Sequence, residues 1–148
     1  MPADPKKKKP KKLTSLKDDA WALFSKIIRL RGSDENGFNT CVTCGVRKHW
    51  KKLQAGHFID GRRGAVLFDP NGVWPQCFKC NFKSHGCLAG NKVKYTLWMQ
   101  AKFGEDFVKE MVAKSHEQVI YTREDYAHMI RMFQDTLERM EEKQNARP

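Results

Sequence analysis

Four cysteines fall in two Cys-x-x-Cys pairs, Cys41/Cys44 and Cys77/Cys80; between the pairs lies Gly56-His57-Phe58, and Asn81 directly follows Cys80. Two such pairs give a tetrahedral zinc its ligands, each supplying two thiolates at a bite suited to Zn–S bonds of about 2.3 Å. A zinc held by four sulfurs has no open position, so its work is to hold the chain. What it would hold is a histidine and an asparagine. Histidine, with an ordinary pKa of about 6.5, is suited to taking a proton from water near neutral pH. An asparagine carbonyl is an oxygen ligand of the type a hard cation takes. Hydrolysis of a phosphodiester needs both: an activated water, and a cation on the scissile phosphate and the leaving oxygen. Two metals with different jobs are implied, a structural Zn²⁺ and a catalytic Mg²⁺ or Mn²⁺.

The charge points to a polyanion as partner. The 148 residues carry 28 Lys+Arg against 17 Asp+Glu, a formal +11, and an excess of this size favours nucleic acid. Residues 1–12 hold six lysines against one aspartate, net +5, which leaves +6 for the rest of the chain. The fifth cysteine, Cys87, stands outside the pairs. Four of five cysteines in metal-type spacing argue for a reducing compartment rather than a secreted disulfide framework. No apolar run approaches the roughly 20 residues that span a bilayer, and the lysine-rich start lacks the apolar segment of a signal peptide. The protein is therefore expected in the cytoplasm, with no membrane partner.

A hydrophobic fraction of 40% supports one modest core. Residues 1–14 read as a disordered basic arm, since MPADPKKKKPKK has almost no apolar surface to repay ordering. Lys6, Lys7, Lys8 and Lys9 make this arm a phosphate-binding tether, with a solubilising tail or a nuclear-import signal as rival readings. Residues 15–148 read as a single domain. Ser15 is expected to cap a first helix, with Asp18 and Asp19 in its first turn; Ala20, Leu23, Phe24, Ile27 and Ile28 form its buried stripe and Gly32 ends it. Residues 33–40 read as a turn-rich link. Alternation from Leu53 to Ile59, the glycine-bounded Gly61-Arg62-Arg63-Gly64 and the apolar Ala65–Phe68 predict two strands around a loop. Helices are then expected from Gly90-Asn91 to Gly104, over 105–114, and from a Thr122 cap with Glu124 and Asp125 in its first turn, so that helices cover 105–144.

Strand, loop, strand, zinc pair and helix is the order of the ββα-metal unit of His-Asn-His-type nucleases, and His57 followed by the second pair and Asn81 resembles that class. The runs Leu53-Gln54-Ala55-Gly56-His57-Phe58-Ile59, Phe68-Asp69-Pro70, Val73-Trp74-Pro75-Gln76-Cys77-Phe78-Lys79-Cys80-Asn81 and Gly90-Asn91 with Tyr95 look like the NinG (Rap) recombination proteins of lambdoid phages over residues 41–104. That resemblance implies an α+β fold, a ββα-metal zinc-stapled hairpin flanked by N-terminal and C-terminal helices. It also implies a structure-selective DNA endonuclease acting on branched recombination intermediates such as Holliday junctions, D-loops and flaps, in a bacterial host cell alongside other recombination proteins. Four zinc cysteines followed at once by asparagine are also similar to endonuclease VII, a phage junction resolvase. By that likeness Asn81 binds the catalytic magnesium and His57 is the general base.

Two positions depart from the pattern. Many nucleases of this class carry an acidic residue before the histidine, where this chain has Gly56, so Asp60 or Asp69 would have to supply the carboxylate, or the site makes do with Asn81, phosphate oxygens and water. The asparagine expected directly before Val73 is one residue early, as Asn71; if it cannot orient His57, a backbone group must. Around the site, Arg62 and Arg63 are expected to clamp phosphate, and Lys79, Lys83, Lys92 and Lys94 to extend the basic track. His85 reads as a loop residue. Paired incision of a symmetric junction favours a homodimer. Two rival readings remain, because zinc ribbons often only bind: a non-catalytic zinc-containing DNA-binding accessory protein, and a sequence-specific endonuclease of the same class.

Overall fold

The computed structural model describes residues 8–60 and 64–147. Helix α1 (Leu13–Leu30) is followed by strands β1 (Phe38–Thr40) and β2 (Arg47–His49), a 3-10 turn (Trp50–Lys52), and strand β3 (Leu53–His57). Then come a one-turn helix α2 (Gly64–Leu67), strand β4 (Val73–Cys77), a one-turn helix α3 (Phe78–Asn81), and helices α4 (Lys92–Phe103), α5 (Glu105–Ser115) and α6 (Arg123–Asn145). The fold is α+β. No helix among the described residues is long and apolar enough to cross a membrane.

Both sheets are two-stranded antiparallel ribbons. β1 pairs with β2 across the first cysteine pair, and β3 pairs with β4 so that Leu53 faces Cys77, Gly56 faces Trp74 and His57 faces Val73. The β3–β4 ribbon lies between two helical layers. Ala55 and Val73 pack with Phe24 and Ile28 of α1, backed by Phe68 and by Phe133 of α6. Beyond the ribbon, Phe58, Val66, Tyr95, Met99, Val108 and Met111 join α4 and α5. α1 and α6 run side by side in the same direction, since Arg123 donates to the Lys11 carbonyl near their starts and Lys26 pairs with Glu141 further along.

Three sequence expectations are corrected. α1 begins at Leu13, with Lys12 at its cap and no side-chain cap bond, so Ser15 and Asp18 lie inside the helix. Ala65–Leu67 belong to a helical turn rather than a strand, and β4 is the partner of β3. A four-residue apolar run has no period by which to tell a buried turn of helix from a buried strand. Part of the link at 33–40 is strand β1, whose pairing is closed by the cysteine turn. The other helices fall where expected: Gly104 adopts φ +90° between α4 and α5, and Thr122 with Asp125 forms a reciprocal capping box at the start of α6.

Candidate active site and nucleic-acid interface

The four paired cysteines come together. Cys41 and Cys44 sit in the turn joining β1 to β2, Cys77 ends β4 and Cys80 lies in α3; their sulfurs all fall within 4.8 Å of one another. The separation of Cys44 and Cys77 Sγ is 3.7 Å, against about 3.8 Å for an edge of a Zn–S tetrahedron. The donor set and its spacing thus fit a structural zinc. Burial pushes the Cys41 thiol up, but hydrogen bonds from the Thr43 hydroxyl and from nearby backbone N–H groups outweigh this and bring it to about 6. Burial raises the thiols of Cys44 and Cys77, with neighbouring sulfurs adding to it. Thiolates brought this close repel one another, and a bound divalent cation offsets that repulsion.

Hydrogen bonds tie this cluster to α4. The Asn91 side-chain amide donates to Cys80 Sγ at 3.4 Å, with Asn91 itself in the left-handed region at φ +50°. Gln76, fully buried, donates through Nε2 to Thr43 Oγ1 and to the Gly90 carbonyl. Here Gly56 has its reason. A Cβ at position 56 would come within 2.0 Å of Gln76 Oε1, so the space an acidic side chain would need is filled by the glutamine. Gly56→Ala is therefore expected to destabilise the fold by about 1–3 kcal/mol, as overpacking of a filled core does; the midpoint of urea unfolding at unchanged slope measures it.

His57 ends β3 half-buried. Its Nε2 lies 3.1 Å from the Leu67 carbonyl; because a carbonyl only accepts, Nε2 carries a proton, and in the neutral imidazole that tautomer has its lone pair on Nδ1. The ring stacks on Trp21 of α1 with centroids 4.9 Å apart and planes 17° from parallel. Lys92 grips the same stretch of chain, donating to the carbonyls of His57 and Phe58 at 2.7 and 2.8 Å and pairing with Asp60 at 3.1 Å. Burial lowers the Lys92 pKa, and Asp60 offsets part of that. Tyr95, fully buried, donates its hydroxyl to the Gly56 carbonyl at 2.7 Å, and burial pushes its phenol well up, so it stays a neutral donor.

Asn81 closes α3. Its Nδ2 donates to Gln54 Oε1 at 2.7 Å, which fixes the carboxamide so that the remaining atom, Oδ1, is an oxygen acceptor. Trp21, Ser25, Arg29, Leu53, Gln54, Ala55, Asn81 and Phe82 line one surface depression. Asn81 thus opens onto a depression whose wall, Trp21, is the ring stacked on His57.

Other expected residues lie elsewhere. Among the described residues the cysteine tetrad is the one group of three or more His, Cys, Asp or Glu donors close enough to hold a metal ion, and no such group includes Asp60 or Asp69. Asp60 is held by Lys92, with Lys83 at 3.9 Å, and Asp69 by Lys114 at 2.8 Å. Asn71 is exposed; its backbone N–H donates to Asp69 and its carbonyl accepts from Trp74. The imidazole meets a backbone carbonyl, that of Leu67. The Lys92 ammonium is held by the His57 and Phe58 carbonyls and Asp60. Lys79, Lys83 and Lys94 are exposed, as are Lys8 and Lys9. Lys6, Lys7, Arg62 and Arg63 lie outside the described residues. His85 is exposed in the loop before α4.

Three contributors are not among the expected site residues. Trp21 and Gln54 act through contacts distant in sequence, which no local signal announces. The run Arg47-Lys48-His49-Trp50-Lys51-Lys52 does carry a signal, four cations in six residues. Trp50 has Arg29 over its ring at 5.1 Å and Lys51 and Lys26 at 5.7 and 5.8 Å, and Arg29 reaches the same depression as Asn81.

Against known proteins, neither the curated sequences nor the solved structures give a match. A family model described as "Bacteriophage Lambda NinG protein" matches residues 3–143. Since that match takes in both cysteine pairs, His57, Asn81 and the helices around them, the chain belongs to the NinG family.

Proposed function

We propose that this protein is a zinc-stapled, metal-dependent DNA endonuclease of the ββα-metal class that cuts branched intermediates in phage recombination. The observation that carries the reading is the mounting of His57: a carbonyl on Nε2, an indole against its face, and a hairpin anchored to the four sulfurs behind it. Such fixation selects one tautomer and one ring orientation, which a general base requires and a surface histidine does not. In this reading Nδ1 accepts the proton of the attacking water, while Leu67 holds the imidazole in register as its charge changes. Asn81 Oδ1, fixed by Gln54, would hold a Mg²⁺ or Mn²⁺ together with phosphate and water oxygens; such an ion supplies charge stabilisation at the phosphate and the leaving oxygen. The basic run at 47–52, with Arg29, forms a rail for the DNA backbone. Two copies, one per strand, would suit paired incision of a symmetric junction.

The test is cleavage by zinc-loaded protein with Mg²⁺ or Mn²⁺ on four-way junctions, D-loops, flaps and linear duplex. Incision near branch points supports the proposal. No incision on any substrate leaves a DNA-binding accessory module, and cuts that follow sequence rather than branch position mark a site-specific nuclease. The rail makes a separate prediction. Replacing Lys51 and Lys52 with alanine should weaken binding to all DNA alike and flatten the plot of log affinity against log salt by about 2, roughly 0.9 for each phosphate no longer neutralised. An unchanged slope in a fluorescence-anisotropy titration would show that these lysines do not touch phosphate.

A further inference from the structure

Phe78 and Phe82 bracket Asn81 from opposite ends of the one-turn helix α3. Their rings stack on each other at 4.5 Å and 20°, yet remain 49% and 45% exposed. Burying two such rings would favour folding, and the chain instead leaves them in water beside the candidate site. Phe82 also forms part of the depression that holds Asn81. The cations next to them, Lys79 and Lys83, are exposed. Exposed aromatic rings with exposed cations adjacent in sequence are complementary to a base on a phosphate strand: a ring takes the π-face and an ammonium group takes the backbone. A protein partner with an apolar knob would gain nothing from those cations.

We propose that the Phe78–Phe82 stack is a platform for an unpaired nucleobase, and that it gives this protein its preference for DNA with a strand junction or gap. The proposal rests on the nuclease reading for the position of the scissile strand. In duplex DNA the bases are stacked on each other and do not reach the platform; at a branch, flap or gap the terminal base is available. The pair acts on binding of branched substrate, and proton transfer stays with His57.

Zinc-loaded protein in Ca²⁺, where binding is read without cleavage, is titrated with three probes: linear duplex, the same duplex with a gap carrying 2-aminopurine, and an oligo-dT strand. The Phe78→Ala/Phe82→Ala variant should lose about tenfold or more in affinity for the gapped and single-stranded probes, keep duplex affinity within about twofold, and lose the 2-aminopurine quenching given by wild type. Phe78→Tyr/Phe82→Tyr should restore all three readings, and Phe78→Leu/Phe82→Leu, equally apolar but without a π-face, should not. Equal losses on duplex and gapped DNA, rescue by leucine, or no loss at all would overturn the platform, the last leaving the patch to a protein partner. Cleavage is scored separately. A wild type that shows this binding pattern but cuts nothing refutes the nuclease reading alone, and one that cuts branched DNA without the pattern refutes the platform alone.

Discussion

Replacing His57 with alanine is expected to lower the rate of DNA cleavage by about 10²–10⁴-fold, the range typical of a missing general base, which is roughly 3–5 kcal/mol on the barrier. DNA affinity measured in Ca²⁺ should change little, because the charges assigned to phosphate lie on other residues. The expectation follows from how the ring is held. Its Nε2 is committed to the Leu67 carbonyl and its face to Trp21, so the orientation of Nδ1 is fixed before substrate arrives and little entropy remains to be lost at the transition state. Alanine also removes the stacking partner of Trp21, so a folding control is required: His57→Gln, which keeps bulk beside the indole, should unfold at nearly the wild-type urea midpoint and be equally inactive. A chemical control is sharper. In His57→Gly, added imidazole should restore part of the cleavage, with a pH profile that follows the added base. A variant without His57 that cuts at the wild-type rate would place the base elsewhere and remove the ground for the nuclease proposal.

Trp21 is a positioning residue in this scheme, and it also marks where sequence reasoning stops. The metal cluster is legible because each Cys-x-x-Cys pair is a local signal that completes half a site by itself. α6 is legible because Thr122 and Asp125 are three residues apart and satisfy each other's main chain. The partner of β3 is not, because Val73–Cys77 contains Pro75, which reads against a strand, while the competing Ala65–Phe68 run has no such break. Pro75 is tolerated because its ribbon has only two strands; its carbonyl accepts from Val42 instead of a third strand. Lys92 illustrates a different limit. In sequence it is one cation among several near the site, and only the three-dimensional fold shows its ammonium enclosed by two carbonyls and Asp60. Gly56 reads in sequence as a missing acid, whereas the packing of Gln76 explains why any side chain is excluded there.

Zinc removal should have the largest structural effect. Each ribbon is two-stranded, and isolated hairpins are marginal in water. The ribbons meet at a buried cluster formed by Cys41, Leu53, Cys77 and Cys80, so three of its four members are the cysteines that would ligate the metal. Structural zinc contributes apparent free energies of about 10–16 kcal/mol in small modules, comparable to the roughly 5–15 kcal/mol that separates a whole domain from its unfolded chain. Chelation under reducing conditions is therefore expected to abolish the cooperative unfolding transition of the middle of the chain. The effect should be uneven: α1 and α6 keep their own packing, so far-UV dichroism falls less than the near-UV signal from Trp74 in the ribbon and from Tyr95, which packs against it. Cys41→Ser should mimic chelation, since it removes one of the four clustered sulfurs. Cys87→Ser should not, since Cys87 lies outside the tetrad. One zinc per chain by elemental analysis, loss of near-UV dichroism on its removal and recovery on its return is the expected sequence of results. A metal-free protein that keeps its tertiary signal and its urea midpoint would mean that the four thiols pack as an ordinary core, and His57 and Asn81 would then owe their placement to Trp21, Leu67 and Gln54 alone.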